Sequence, residues 1–221
     1  MIRLKNVTKY YPTQKGRKYV LRDVNIEFPP DCNIGILGRN GMGKSTLLRL
    51  LGGIDYPNHG RILSEGRISW PMGLQGGVQG SMSGRDNARF VCRIYGDSEH
   101  EVYRKIKFIH EFTELGEYFD MPVKTYSSGM RARLSFATSM AFDFDIYLMD
   151  EITAVGDQRF KEKSRAALQE KKDNAKIIKV SHNMKELIRD CDVGIYLENG
   201  QMHIYEDIKE AVVAYQKGQV A

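Results

Sequence analysis

Residues Gly38-Arg39-Asn40-Gly41-Met42-Gly43-Lys44-Ser45-Thr46 constrain this chain more than any other stretch. They read G-x-x-x-x-G-K-[ST], a pattern whose glycines let a loop turn tightly and bring its amides against a polyphosphate. Lys44 adds a point charge for the β- and γ-phosphates, and the Ser45 hydroxyl can ligate Mg²⁺. The flanks suit this reading. Ile34-Gly35-Ile36-Leu37 is a short apolar run of the kind that forms a buried strand. Thr46 to Leu51 follows as a helix whose N-terminus faces the anion.

The chain has 221 residues, enough for one good core with a small subdomain. Its 42% hydrophobic and 28% charged residues are those of an ordinary globular protein. No apolar run approaches the roughly 20 residues of a membrane span. Met1 to Asn6 lacks the apolar centre of a signal peptide, so a cytoplasmic location is expected. Cys32, Cys92 and Cys191 are far apart and predict buried or inert thiols rather than disulfides or a zinc site. The net charge of +5 suits nucleic acid or an anionic membrane but requires neither.

Ile2 to Val7 and Val24 to Phe28 alternate apolar and polar residues, as half-buried strands do, with a polar loop expected over Pro12–Lys18. This predicts an antiparallel β-layer leading into an α/β core. Gly52-Gly53 stops the first helix. Arg61–Leu63 and Arg67–Trp70 read as short strands. Pro71 to Gly84 is a long Gly-rich loop, a type that is usually functional. From Asp86 to Phe119 the pattern is helical. One stripe holds Phe90, Ile94 and Tyr95; another holds Val102, Ile106, Ile109 and Phe112. Both are expected to be core. A helical subdomain inserted at about 71–144 into a core of about 1–70 and 145–221 is the expected organisation. Further on come a helix opening at Ser127-Ser128-Gly129, the strand Ile146–Met149, a charged helix over Gln158–Lys172 and the strand Ile177–Val180. A hairpin about Asn199-Gly200 and a terminal helix from Ile208 complete the chain.

Three features carry chemistry beyond the phosphate loop. Asp150-Glu151 ends an apolar strand, and parallel sheets bind ligands at the carboxyl ends of their strands. Asp150 would hold Mg²⁺, directly or through water, while Glu151 polarises the attacking water. His182, after the next strand, can touch the γ-phosphate and help to place Glu151 and the water. The helix start at Ser127 is either a second anion site or a plain N-cap supplied by Ser127 or Ser128. As a nucleotide contact it would act from another subunit.

This order of motifs resembles the ATP-binding subunits of ABC transporters over nearly the whole chain. The resemblance implies a P-loop NTPase core with an N-terminal antiparallel β-layer and an inserted helical subdomain. It also implies ATP and Mg²⁺ as ligands and a head-to-tail dimer with a second copy. The family's L-S-G-G-Q signature falls on Tyr126-Ser127-Ser128-Gly129-Met130, which departs at three positions but keeps Ser127 and Gly129. Asp157 ends the stretch matching the D-loop. Tyr11, with Tyr10 as competitor, falls where an aromatic stacks on adenine. Gln75, with Gln79 as alternative, falls where a glutamine senses the γ-phosphate and metal.

Ile68-Ser69-Trp70-Pro71, the Gly-Gly-Val-Gln-Gly-Ser stretch ending at Ser81, Tyr126–Arg131 and Thr153–Asp157 look like the capsular-polysaccharide exporter branch of the family. O-antigen and teichoic-acid exporters share several of these features. The C-terminal carbohydrate-binding domain of many O-antigen exporters finds no room after the last helix, which favours the capsule branch. This resemblance implies an ATPase at the cytoplasmic face of the bacterial inner membrane, attached to a polytopic permease in two copies. Through the permease it implies contact with periplasmic and outer-membrane capsule-export components. The loop from Met72 to Ser83 is the expected permease contact. The rival classes are a soluble ATPase acting on nucleic acid or ribosomes and a small-molecule kinase. The interleaved aromatic and basic residues of a nucleic-acid surface are not evident, and a kinase has no use for the Ser127 helix start.

Overall fold

A computed structural model describes residues 1–72, 79–150, 157–172 and 174–220. Along the chain run β1 (Ile2–Thr13), β2 (Gly16–Phe28), β3 (Ile34–Leu37), α1 (Lys44–Leu51) and β4 (His59–Ser64). Next come α2 (Gly84–Ile94), α3 (Glu99–Thr113), α4 (Ser128–Met140), β5 (Ile146–Asp150) and α5 (Gln158–Lys172). The chain closes with β6 (Lys176–Val180), α6 (Met184–Asp190), β7 (Val193–Glu198), β8 (Gln201–Tyr205) and α7 (Ile208–Val220). Two compact units emerge. One comprises residues 1–71, 144–151 and 174–221; the other comprises 72–143 and 152–173.

The first unit holds two sheets. One is antiparallel, in the order β2-β1-β4; the other runs β5-β6-β3-β7-β8, parallel except for β8. All four residues of β3 are buried, as befits a central parallel strand covered on both faces. Its side chains alternate between two cores. Ile36 joins Leu47, Leu48, Leu148 and Val180, with Leu4, Val7 and Leu21 from the antiparallel sheet. Leu37 joins Tyr196 of β7 and Leu187, Ile208 and Ala211, which α6 and α7 deliver to the opposite face. The Asn199-Gly200 hairpin forms as expected, with positive φ at both residues and Glu198 paired to Gln201.

The expected polar loop at 12–18 is instead mostly strand. Pro12 pairs with Arg17 and Thr13 with Gly16, so β1 and β2 form one long hairpin. Rings extend it where aliphatic alternation ends: Tyr10 and Tyr19 lie 5.4 Å apart, and the Arg17 guanidinium sits 4.5 Å above Tyr10. Arg67–Trp70 does not form a full strand; it contributes a single bridge, Ile68 to Ile146.

The second unit is helical. Val102, Ile106, Ile109 and Phe112 are buried, as their spacing predicts. Helix α5, expected with the α/β core, groups with this unit. Phe160 is its one buried residue and meets the Phe112 and Phe136 rings edge-on at 5.7 and 6.4 Å. The Lys163 ammonium donates to the Phe112 carbonyl at the C-terminal end of α3. Phe90, Ile94 and Tyr95, expected as core, are exposed instead, Phe90 by 53% and Ile94 by 64%. Helix α2 buries Asn87, Ala88 and Cys92 in their place. Among the described residues no helix is long and apolar enough to cross a membrane.

Candidate nucleotide site

Strand order assembles the first half of the site. β5, β6 and β3 are adjacent and parallel, and Asp150, Val180 and Ile36 share one row across them. At about 4.8 Å between neighbours, Asp150 stands about 10 Å from the phosphate-loop strand. His182, two residues past Val180, leaves the strand between them. Residues separated by more than a hundred positions thus share one end of one sheet. Glu151 and Gln75 lie outside the described residues.

The loop geometry demands its glycines. Gly43 has φ +100°, and a Cβ there would stand 2.0 Å from Val20 Cγ1. Gly38 lies against the next strand, where a Cβ would meet the Leu197 carbonyl oxygen at 2.7 Å. Lys44 is buried, and its ammonium donates to the carbonyls of Gly38 (2.7 Å) and Arg39 (3.3 Å), which holds the charge inside the loop. Asn40, Gly41 and Ser45 are exposed and Thr46 is half-buried. Gly43 gives α1 no side-chain cap, and its first turn carries no acidic residue. Such a helix start accepts an anion with both hydrogen bonds and dipole. The Ser45 hydroxyl and the Asp150 carboxylate are hard oxygen donors of the kind Mg²⁺ takes.

Register separates the two tyrosines. Tyr11 pairs with Lys18. Tyr10 pairs with Tyr19 and faces the other way. Tyr11 turns toward the segment that follows α1. Its hydroxyl donates to Asp55 Oδ2 at 2.8 Å. Periodicity gave no sign of Val20 or Asp55, because each acts on a residue more than twenty positions away in the chain.

In the helical unit Ser127 caps α4. Its Oγ accepts from the Met130 amide at 3.2 Å. Ser128 does not supply this cap. Tyr126, where the family signature begins, is buried and donates to the Tyr118 carbonyl at 2.5 Å, which anchors the segment. A Cβ on Gly129 would meet nothing nearer than Ser127 Oγ at 3.9 Å, so crowding within the chain does not explain this glycine. Asp157 accepts from the Phe160 amide at 2.9 Å, which starts α5, and pairs with Arg133 of α4 at 2.7 Å. The amide bond and then the guanidinium hold its carboxyl below the usual range. Gln79 is tied by its backbone to Asn87: its amide donates to Oδ1 at 2.7 Å, and its carbonyl accepts from Nδ2 at 3.0 Å.

A phosphate loop between a buried parallel strand and a helix, with an acidic strand end two strands away, defines a phosphate-loop nucleotide-binding protein. The family model described as ABC transporter matches residues 21–154. The chain belongs to the ABC transporter family. It is 52% identical to the polysialic acid transport ATP-binding protein KpsT of Escherichia coli, over 98% of this chain and 99% of that one. It is 46% identical to the capsule polysaccharide export ATP-binding protein CtrD of Neisseria meningitidis serogroup B, over 97% and 98% of the two chains. In fold it matches a dimeric ATP-binding cassette in a post-hydrolysis state bound to ADP and Pi. The TM-score is 0.74 at 24% identity, covering 93% of this chain and 98% of the other.

Proposed function

We propose that this chain is the ATP-hydrolysing subunit of an ABC transporter that exports capsular polysaccharide across the bacterial inner membrane, working at its cytoplasmic face. The observation that carries this is the 52% identity, over practically the full length of both chains, to a polysialic acid transport ATP-binding protein. The phosphate loop, the acidic strand end and the histidine of the next strand give that identity its chemistry.

In this reading the triphosphate lies in the loop 38–46, with Lys44 and the α1 amides on its oxygens and Tyr11 on the base. Ser45, Asp150 and Gln75 would hold Mg²⁺, which would supply positive charge against the phosphate oxygens. Glu151 takes a proton from the attacking water, and His182 orients that water. The water oxygen bonds to the γ-phosphorus as the bond to ADP breaks, releasing ADP and phosphate.

A second copy completes the site from its own α4. Ser127 spends an acceptor lone pair on the Met130 amide, which leaves its O–H to donate to a γ-phosphate oxygen. The space at Gly129 admits a close approach, and Asp157 faces the same junction. A permease in two copies docks on the segment about 79–83 and on the exposed Phe90–Ile94 stripe. It links the pair to periplasmic and outer-membrane export components. Nucleic acid is not a partner.

The test uses a capsule-forming bacterium deleted for its own export ATPase. This chain is expected to restore surface polymer, whereas Lys44→Ala leaves polymer inside the cell. A chain that hydrolyses ATP and copurifies with the permease, yet restores no surface capsule, sinks the assignment. Ile94→Asp is expected to weaken copurification with the permease while preserving the fold, since Ile94 is exposed.

A further inference from the structure

Tyr11 is tethered by a carboxylate that lies outside every motif of the site. Asp55 follows the C-terminal end of α1. The Ile54 and Asp55 amides both donate to the Arg49 carbonyl, at 2.9 and 3.2 Å, so the segment is fastened to the last turn of the phosphate-loop helix. Asp55 Oδ2 accepts from the Tyr11 hydroxyl at 2.8 Å. Asp55 Oδ1 accepts from Lys9 Nζ at 2.6 Å and from the Tyr56 amide at 2.8 Å. Lys9 is buried, gives a further bond to the Tyr56 carbonyl at 2.8 Å, and places its ammonium 4.9 Å from the centroid of the Tyr11 ring. That cation backs the ring, and 37% of Tyr11 stays exposed.

We propose that Asp55 is the positioning residue of the base-binding ring: it ties Tyr11 to the far end of the helix whose near end binds the triphosphate. One rigid element then fixes both ends of the nucleotide site. The eight residues of α1 span about 12 Å, so the base and phosphate contacts are referred to a common ruler. A flexible ring would have to be ordered at each binding event, and the tether removes that cost in advance. Lys9 holds the carboxylate in turn, with both groups largely out of water. Such a buried charge pair keeps its geometry, because losing one partner strands the other.

The inference rests on Tyr11 being the base contact, and the experiment separates the two. ATP and inorganic tripolyphosphate affinities are measured on the full chain with Mg²⁺. Tyr11→Ala tests the base contact: ATP affinity is expected to fall while tripolyphosphate affinity holds. Tyr11→Phe keeps the ring and removes only the bond to Asp55. It is expected to weaken ATP about three- to tenfold, with tripolyphosphate affinity unchanged. The tether is removed without stranding a charge in Lys9→Met/Asp55→Ala, where the same ATP-specific loss is expected and Tyr11→Phe adds nothing further.

If Tyr11→Ala weakens ATP but Tyr11→Phe does not, the ring binds the base untethered and the proposal falls. If Lys9→Met/Asp55→Ala weakens tripolyphosphate as much as ATP, Asp55 is merely structural and the proposal falls. If Tyr11→Ala leaves ATP untouched, the base contact itself is wrong and the positioning role goes with it.

Discussion

Two helix starts invite comparison, at Lys44 and at Ser128. Both follow small and polar residues, and both carry residues that the family resemblance assigns to the nucleotide. The first begins at Gly43, in a backbone conformation only glycine holds easily, with no side-chain cap. The second begins at Ser127, whose own hydroxyl accepts from the Met130 amide. The first is built to be completed by an anion from outside. The second is already satisfied from within, at the level of its first amides. A serine at a helix start is therefore weak evidence for a ligand, whereas a bare glycine-led start beside a buried lysine is strong evidence.

The largest expected effect separates binding at the first start from chemistry beside it. Glu151→Gln keeps the shape and removes the base, so turnover should fall about 10²- to 10⁴-fold while ATP affinity is retained. The variant should accumulate as an ATP-bound closed pair. Asp150→Asn should instead weaken Mg²⁺-dependent ATP binding. Turnover and nucleotide affinity measured on both variants check this. Near-normal hydrolysis by Glu151→Gln would move water activation to His182 or to the phosphate itself.

Next in size is the contrast between the two glycines. Gly43→Ala must hold φ +100° and meet Val20 Cγ1, so ATP affinity should fall by about 10- to 100-fold. Gly129→Ala meets nothing within its own chain closer than 3.9 Å, so its melting temperature should match the parent. If Gly129→Ala nevertheless cuts turnover, the demand for glycine comes from outside the chain.

Ser127 can be split more finely. Ser127→Ala loses the cap, for about 1 kcal/mol of stability. Ser127→Asp keeps a good cap but sets a negative charge where a phosphate would lie. It should melt like the parent and lose at least about tenfold in turnover. Ser127→Arg should bind ATP and fail to turn over. Parental turnover in Ser127→Asp would leave this helix start a cap and nothing more. Mixing Ser127→Arg with Lys44→Ala is expected to restore part of the activity if each site draws on both copies.

The smallest expected effect is a pH dependence at Asp55. Burial pushes its carboxyl up, but hydrogen bonds from Lys9, Tyr11 and the Tyr56 amide outweigh this and hold it below the ordinary value. A depressed carboxyl stabilises the fold above the ordinary aspartate range and loses that contribution as pH falls through its own lower pKa. The gap in unfolding free energy between the parent and Asp55→Asn should be full at neutral pH and narrow in acid. A gap independent of pH would mean that the charge contributes nothing to the pair.

Local chemistry determined a good deal by itself. The G-x-x-x-x-G-K-[ST] run specifies its own backbone, because only glycines tolerate the turn and only a strand and a helix can flank it. The Asn199-Gly200 turn and the Val102–Phe112 stripe were equally legible, since a turn needs four residues and a helix face only its period. The rest required the tertiary structure. Strand order alone puts β6, and with it His182, between the phosphate loop and Asp150. Only the folded chain brings the Tyr11 hydroxyl to Asp55. Periodicity misplaced the Phe90–Ile94 stripe, because an apolar face reads the same whether it covers a core or awaits a partner. It also missed the Lys9–Asp55–Tyr11 tether, whose carboxylate stands more than forty residues from the other two members. Contacts of that kind depend on which segments the fold makes neighbours, and that leaves no trace in the local spacing of residues.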